Sequence, residues 1–204
     1  MGLVALLMTG AVLLMNGLVL LQIAEPRTVA IINIWGGALQ TLTPFFLLTQ
    51  THTPVEALGV GPPFLFGLTF LWVGIATLME SPTVAIGWYC LWVVPVTVVL
   101  AVVSVVLFAD PRFAVVWLNY GLLWGLFWAV LALGRADLVR FTGWTAVFLS
   151  VWGVTAPALL LLVGIWTSVP LWAFILVTLL AESAAFALSA KAPRSSTSQP
   201  ATAI

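Results

Sequence analysis

Charge is what this sequence has least of. Charged residues make up 6% of the 204-residue chain, against 63% hydrophobic ones. A water-soluble domain of this length devotes roughly a quarter of its residues to charge. This chain cannot cover itself with a polar coat, so its outer surface faces lipid. A net charge of zero, with no cluster of Lys or Arg, excludes a basic nucleic-acid surface. The single cysteine, Cys90, allows no internal disulfide and no thiolate cluster, and reads as a small core or lipid-facing residue. The single histidine, His52, has no partners at metal-ligand spacing. No Ser-His-Asp or Cys-His set and no phosphate loop is present, which argues against an enzyme, and no cofactor or metal is expected.

Apolar stretches long enough to cross a bilayer fill most of the chain. The pattern predicts an all-α membrane protein with spans at about 2–22, 28–48, 62–79, 83–108, 113–134, 139–166 and 169–189. The breaks are QIAEPRT, QTHTPVEALGVG, MESPT, FADPR, GRADLVR and TSVP, several with Pro beside an acidic residue, as suits a helix stop and a new start. The third span is short, which leaves six helices and a surface-lying segment as the alternative; seven is the expectation. The opening MGLVALLMTG has no positive start and no clear cleavage site, so it is expected to stay as a membrane helix. Residues 191–204, KAPRSSTSQPATAI, are polar and expected to be disordered. With the N-terminus outside, seven spans put Arg27, Arg135, Arg140, Lys191 and Arg194 inside and Arg112 outside, so the expected orientation is N-out, C-in.

Mid-membrane charge is also missing. Glu25, Arg27, Glu56, Glu80, Asp110, Arg112, Arg135, Asp137 and Arg140 fall in breaks or at span ends, and only Glu182 lies inside an apolar segment, late in the last one. Proton-coupled pumps and cation channels place carboxylates or His in mid-membrane, so a passive path for something small and uncharged fits best. The polar groups inside the spans are neutral. For Thr and Ser the ordinary reading is interhelical hydrogen bonding, worth about 0.6–2 kcal/mol each. Asn16, Asn33 and Asn119 are costlier to bury, and each needs either a partner or a wet cavity.

The segment WLNYGLLWGLFW, residues 117–128, carries five aromatics. At about 100° per residue, Trp117, Tyr120, Trp124, Phe127 and Trp128 fall within roughly a 100° sector of one helix face, with Gly121 and Gly125 beside it as a small-xxx-small contact. An interfacial belt does not explain a stripe roughly 16 Å long. Core packing and a slot between aromatic faces both remain open; in a slot, Tyr hydroxyl and indole N–H groups would be hydrogen-bond partners for the solute.

These blocks together resemble the AmiS/UreI family of urea and amide channels. GLVALLMTGAVLLMNGL, AEPRTVAIINIWGGALQ, FGLTFLW (66–72), VVWLNYGLLW (115–124) and RFTGWTAVF followed by Pro157 occur in family order and spacing, covering residues 1–166. The resemblance implies a six-helix pore domain over 1–166, a hexameric ring of protomers and a narrow pore of aliphatic and aromatic side chains. By position, it implies a lining of Leu6, Thr9 and Leu13 on the first helix, Phe66 and Phe70 on the third, and Trp117, Tyr120 and Trp124 on the fifth. Asn16, in the family's Asn-Gly pair, is included as a candidate. Phe127 and Trp128 are expected to pack near the inner end. The family's best-studied urea channel carries Tyr where Phe70 stands, Trp where Tyr120 stands and Glu where Leu149 stands, departures that bear on urea selectivity. Acid-gated members have a long outer loop rich in His, Asp and Glu; here His52 and Glu56 are the loop's titrating pair, too few for a steep switch. Residues 167–190 form an apolar addition, expected to be a seventh helix packed on the outside of the ring. The resulting expectation is a multi-pass bacterial inner-membrane channel for urea, acetamide or formamide, supplying a cytoplasmic amidase or urease and open irrespective of pH. The rival readings are a proton-coupled transporter using Glu182 and a non-transporting scaffold or sensor.

Overall fold

The computed structural model describes residues 2–190, and all regular structure among them is helical. The helices are α1 (Gly2–Leu20), α2 (Pro26–Leu48), α3 (Pro54–Val60), α4 (Pro63–Leu78), α5 (Val84–Val106), α6 (Pro111–Leu131), α7 (Val139–Leu149), α8 (Ala156–Leu162) and α9 (Leu171–Ala190). A π-helical stretch, Ser150–Thr155, runs α7 into α8. With α3 and α4 counted together, and α7 and α8 together, seven stretches are long and apolar enough to cross a membrane. The expected tail, 191–204, lies outside the described residues.

The acidic-Pro breaks work as helix starts. Glu25 caps α2 by accepting from the Arg27 N–H at 2.8 Å and from the Thr28 N–H, with Pro26 where a missing N–H does no harm. Asp110 caps α6 in the same way, accepting from the Phe113 N–H at 3.1 Å. One expectation needs correction: residues 49–61 are not simply a loop. Thr53 accepts from the Glu56 N–H at 3.2 Å while Glu56 Oε2 accepts from the His52 N–H at 2.8 Å, a reciprocal cap that folds Pro54–Val60 into α3.

Small residues bring the helices together. A Cβ on Gly37 of α2 would lie 2.6 Å from the Leu71 nitrogen, and one on Gly67 of α4 would lie 3.0 Å from the Gln40 carbonyl oxygen, so α2 and α4 meet backbone to backbone. Gly17 stands equally close to α7, 2.9 Å from the Gly143 carbonyl for such a Cβ. Gly121 and Gly125 both face α5, but Gly121 alone is tight there, against Thr97; at Gly125 a Cβ would meet Val94 at an ordinary 3.9 Å.

Helix α9 docks on α7 and the π segment along one face. Its Phe174 ring is 4.1 Å from that of Trp152, the Trp152 indole donates to Thr178 at 3.0 Å, and Thr145 donates to Glu182 Oε2 at 3.2 Å. Phe174, Thr178, Glu182 and Ala185 recur at the 4-4-3 spacing of a helix face. Outward, Trp35, Trp72, Trp88, Trp92 and Trp172 are exposed, a surface suited to hydrocarbon and not to water.

Candidate functional site

Two voids meet at a pair of rings. The wider one, about 530 Å³, opens among the N-terminal turns of α1, the C-terminal half of α2, α3, the start of α4, the end of α5, the start of α6 and the end of α8. The narrower one, about 20 Å³, is lined by Leu13, Phe66, Phe70, Tyr120, Leu123, Trp124 and Phe127. Phe66 and Tyr120 belong to both walls. Their rings stand edge to face with centroids 4.9 Å apart, in the wall that the two voids share. Trp124 packs on Phe66 at 4.6 Å, and Trp117 stands edge-on to Tyr120 at 5.5 Å on the wide side. A void of 20 Å³ holds about one water, so anything larger fits there only if a ring moves.

Hydrogen bonds fix two of the three rings at the narrowing. The Tyr120 hydroxyl donates to the Gly153 carbonyl at 2.9 Å. Gly153 lies in the π segment, four residues before Pro157, which has no N–H to return to it. The Trp124 indole donates to Thr69 Oγ1 at 3.3 Å, and Thr69 in turn donates to the Leu65 carbonyl at 2.7 Å. These donors were expected to serve the solute; the structure instead gives them protein acceptors that orient the two rings. Phe66, with no polar atom, is held by packing alone.

The expected site residues divide accordingly. Leu6, Phe66, Trp117 and Tyr120 line the wide cavity, and Leu13, Phe66, Phe70, Tyr120 and Trp124 the narrow void. Thr9, Leu149 and Asn16 line neither. Thr9 is fully buried between α1 and α2, donating to the Ala5 carbonyl at 3.1 Å and accepting from Gln40 Nε2. Leu149 is buried beside the π segment, against Gly153. Asn16 and Asn33 exchange amide hydrogen bonds of 2.9 and 2.7 Å, the partner each required, and Asn119 turns back to the Val115 carbonyl at 2.7 Å. Phe127, expected to pack, stands in the narrow wall with Leu123, while Trp128 does pack, 6.4 Å from Trp88.

Apart from Glu182 within α9, the charged side chains among the described residues stay at helix ends or in the connections. Asp110 lines the wide cavity, but both its oxygens are engaged, one by the Phe113 N–H and the other by the Trp166 indole at 2.7 Å. Arg112 donates to the Thr167 carbonyl at 2.8 Å and to that of Val169, tying the α8–α9 connection to the same rim. Where α1 passes to α2, the Glu25 carboxyl is held below its ordinary value by the Thr28 hydroxyl and by the Arg27 and Thr28 amides. After α6, Asp137 is lowered and Arg135 raised by their mutual hydrogen bonds of 2.8 Å. No cluster of three His, Cys, Asp or Glu side chains suited to a metal occurs among the described residues.

Seven helical stretches fit to span a membrane, packed around two voids with aromatic rings between them, make a frame suited to a membrane transporter or channel. The chain belongs to the AmiS/UreI family: the family model described as AmiS/UreI family transporter matches residues 1–165. It is 40% identical over 205 residues to a Rhodococcus erythropolis protein named as the transporter AmiS2, covering 98% of each chain. It is 33% identical over 180 residues to a Mycolicibacterium smegmatis protein named as a transporter of amidate substrates, covering 88% of this chain and 84% of the other. The acid-activated urea channel of Helicobacter pylori is 26% identical over 190 residues, 79% of this chain and 97% of that one. The crystal structure of the urea channel from that organism superposes with a TM-score of 0.73 at 27% identity, covering 81% of this chain and 99% of that chain. The protein is thus a multi-pass bacterial membrane protein of a family of amide and urea transporters and channels.

Proposed function

We propose that the protein is a passive channel for small uncharged amides: urea, acetamide and formamide. The observation that carries this reading is the narrowing itself, lined by Phe66, Tyr120 and Trp124 with no Asp, Glu, His, Lys or Arg among its residues. Such a slot strips a hydrated ion of water without replacing it, and admits a flat, weakly hydrated molecule. The names of the relatives support the amide class.

In this reading the wide cavity is the outer vestibule, with the N-terminus outside and the C-terminus in the cytoplasm, and the chain resides in the inner membrane. Residues 1–166 form the six-helix pore unit, and 167–190, carrying α9, are an addition on its outer side. Protomers assemble as a homohexamer in lipid, each with its own pore. A cytoplasmic amidase or urease consumes the solute and maintains the gradient. Gating by acid is not part of the reading, because Glu56 is engaged in capping α3 and the short outer segment carries His52 as its one histidine.

Light scattering from proteoliposomes given urea, acetamide or glycerol tests the proposal. Amide entry well above that of empty vesicles and insensitive to an uncoupler supports a channel. Accumulation abolished by an uncoupler supports the proton-coupled reading, and unchanged permeability the scaffold or sensor.

A further inference from the structure

Three buried side-chain polar atoms lack a hydrogen-bond partner among the described residues: the indole nitrogens of Trp128 and Trp144, and Gln40 Oε1. The two indoles line neither void. Gln40 lines the wide cavity, on the approach to the Phe66–Tyr120 pair.

The orientation of the Gln40 amide follows from its neighbours. Its nitrogen contacts the Ala5 carbonyl at 3.2 Å and Thr9 Oγ1. The Ala5 carbonyl can only accept, so the group facing it must be the NH₂, and the oxygen is the end left over. The Thr9 hydroxyl proton is already given to that same carbonyl, so it cannot serve Gln40 Oε1. Buried amide oxygens are otherwise almost always satisfied. Among the other polar side chains of this wall, Ser104 donates to the Leu100 carbonyl at 2.8 Å, Tyr120 donates to Gly153, and both Asp110 oxygens are engaged; Gln40 Oε1 is the described side-chain atom of this wall that is both buried and unpaired. The terminal torsion of Gln40 is soft and the side chain stands in the cavity wall, so a solute held there can draw the oxygen toward itself.

We propose that Gln40 is a solute-binding station: its Oε1 accepts a hydrogen bond from an N–H of a primary amide or urea held in the wide cavity before the ring pair. The inference rests on the amide-channel reading and adds a polar contact that the ring faces do not supply. A carbonyl acceptor takes an N–H or O–H donor and offers nothing to an anion. One neutral contact, lost again on entering the aromatic slot, holds the solute without trapping it.

The test compares full-length Gln40→Leu and Gln40→Glu with wild type in proteoliposomes at pH 5. Leucine removes the acceptor, whereas a buried neutral carboxyl keeps one donor for α1 and one acceptor for the cavity. Acetamide and urea permeability is expected to fall about tenfold in Gln40→Leu, the scale of one lost hydrogen bond in a site built to make it. Gln40→Glu should retain at least about a third of wild-type permeability. Melting temperatures are measured alongside, and Gln40→Met replaces the leucine variant if the latter unfolds. Equal permeability in the acceptor-free and acceptor-bearing variants, whether both at wild-type level or both lost, overturns the proposal while leaving the channel reading intact. Wild-type protein that conducts no amide overturns the channel reading and the station with it.

Discussion

The Tyr120 hydroxyl and the Gly153 carbonyl are 2.9 Å apart, and the helix cannot satisfy that carbonyl from Pro157. A π-helical stretch carries the carbonyl and another helix supplies a donor to it, so the Tyr120 ring is tied to a backbone irregularity in the next span. Tyr120→Phe keeps the ring but removes its donor to the Gly153 carbonyl, a loss of about 1 kcal/mol. The expected result is a lower unfolding midpoint in detergent with the order of solute permeabilities unchanged. An unaltered midpoint would show that the bond does not hold the ring.

Phe66 is the ring at the narrowing without a polar tie, and it separates the two voids. Phe66→Leu should join them and raise acetamide permeability, while Phe66→Trp should lower it. Trp124→Ala should weaken discrimination against larger amides, measured as the ratio of butyramide to acetamide entry. Unchanged permeability and selectivity in all three would make these side chains packing and not filter.

Permeability should be flat between pH 5 and 7. Glu25 and Asp137 have carboxyls lowered by hydrogen bonding, so their contributions are complete above the ordinary carboxylate range and fade only as pH falls through the lowered values, below that window. A several-fold change in uptake across pH 5–7 would contradict an ungated pore.

Glu182 meets Thr145 at the α7–α9 contact, away from both voids. Glu182→Gln should therefore leave amide flux unchanged, measured with and without an uncoupler. Loss of uptake in that variant would favour proton coupling.

Much of the bundle was legible because lipid imposes simple demands. Runs of apolar residues gave the spans to within a few positions, and Glu25-Pro26 and Asp110-Pro111 marked starts because acid and proline each suit a helix N-terminus. Ends were harder. Gly134 and Gly164 announce left-handed turns, but Gln22, Glu80 and Ala109 adopt the same conformation, at φ of 61°, 54° and 51°, with no glycine to signal it. Helix α3 did carry a signal, the Thr-x-x-Glu cap at Thr53 and Glu56, hidden among residues that also read as a loop.

The site was half legible for a related reason. The periodicity that grouped Trp117, Tyr120 and Trp124 concerns one helix and its face. It carries no information on what that face meets, so the donors on Tyr120 and Trp124 could not be assigned to Gly153 and Thr69. Gln40 was one neutral polar residue among a dozen; its unpaired oxygen emerges only when α1 is laid against α2. Thr9 and Asn16 pointed the other way, for their partners Gln40 and Asn33 lie on that same neighbouring helix.

The most direct test of the central claim is stopped-flow light scattering on proteoliposomes containing the purified chain, with urea, acetamide and glycerol compared at equal osmolarity. A passive amide slot predicts entry of urea and acetamide at least about tenfold above empty vesicles, little glycerol entry and no effect of an uncoupler. Amide entry no faster than in empty vesicles would contradict it.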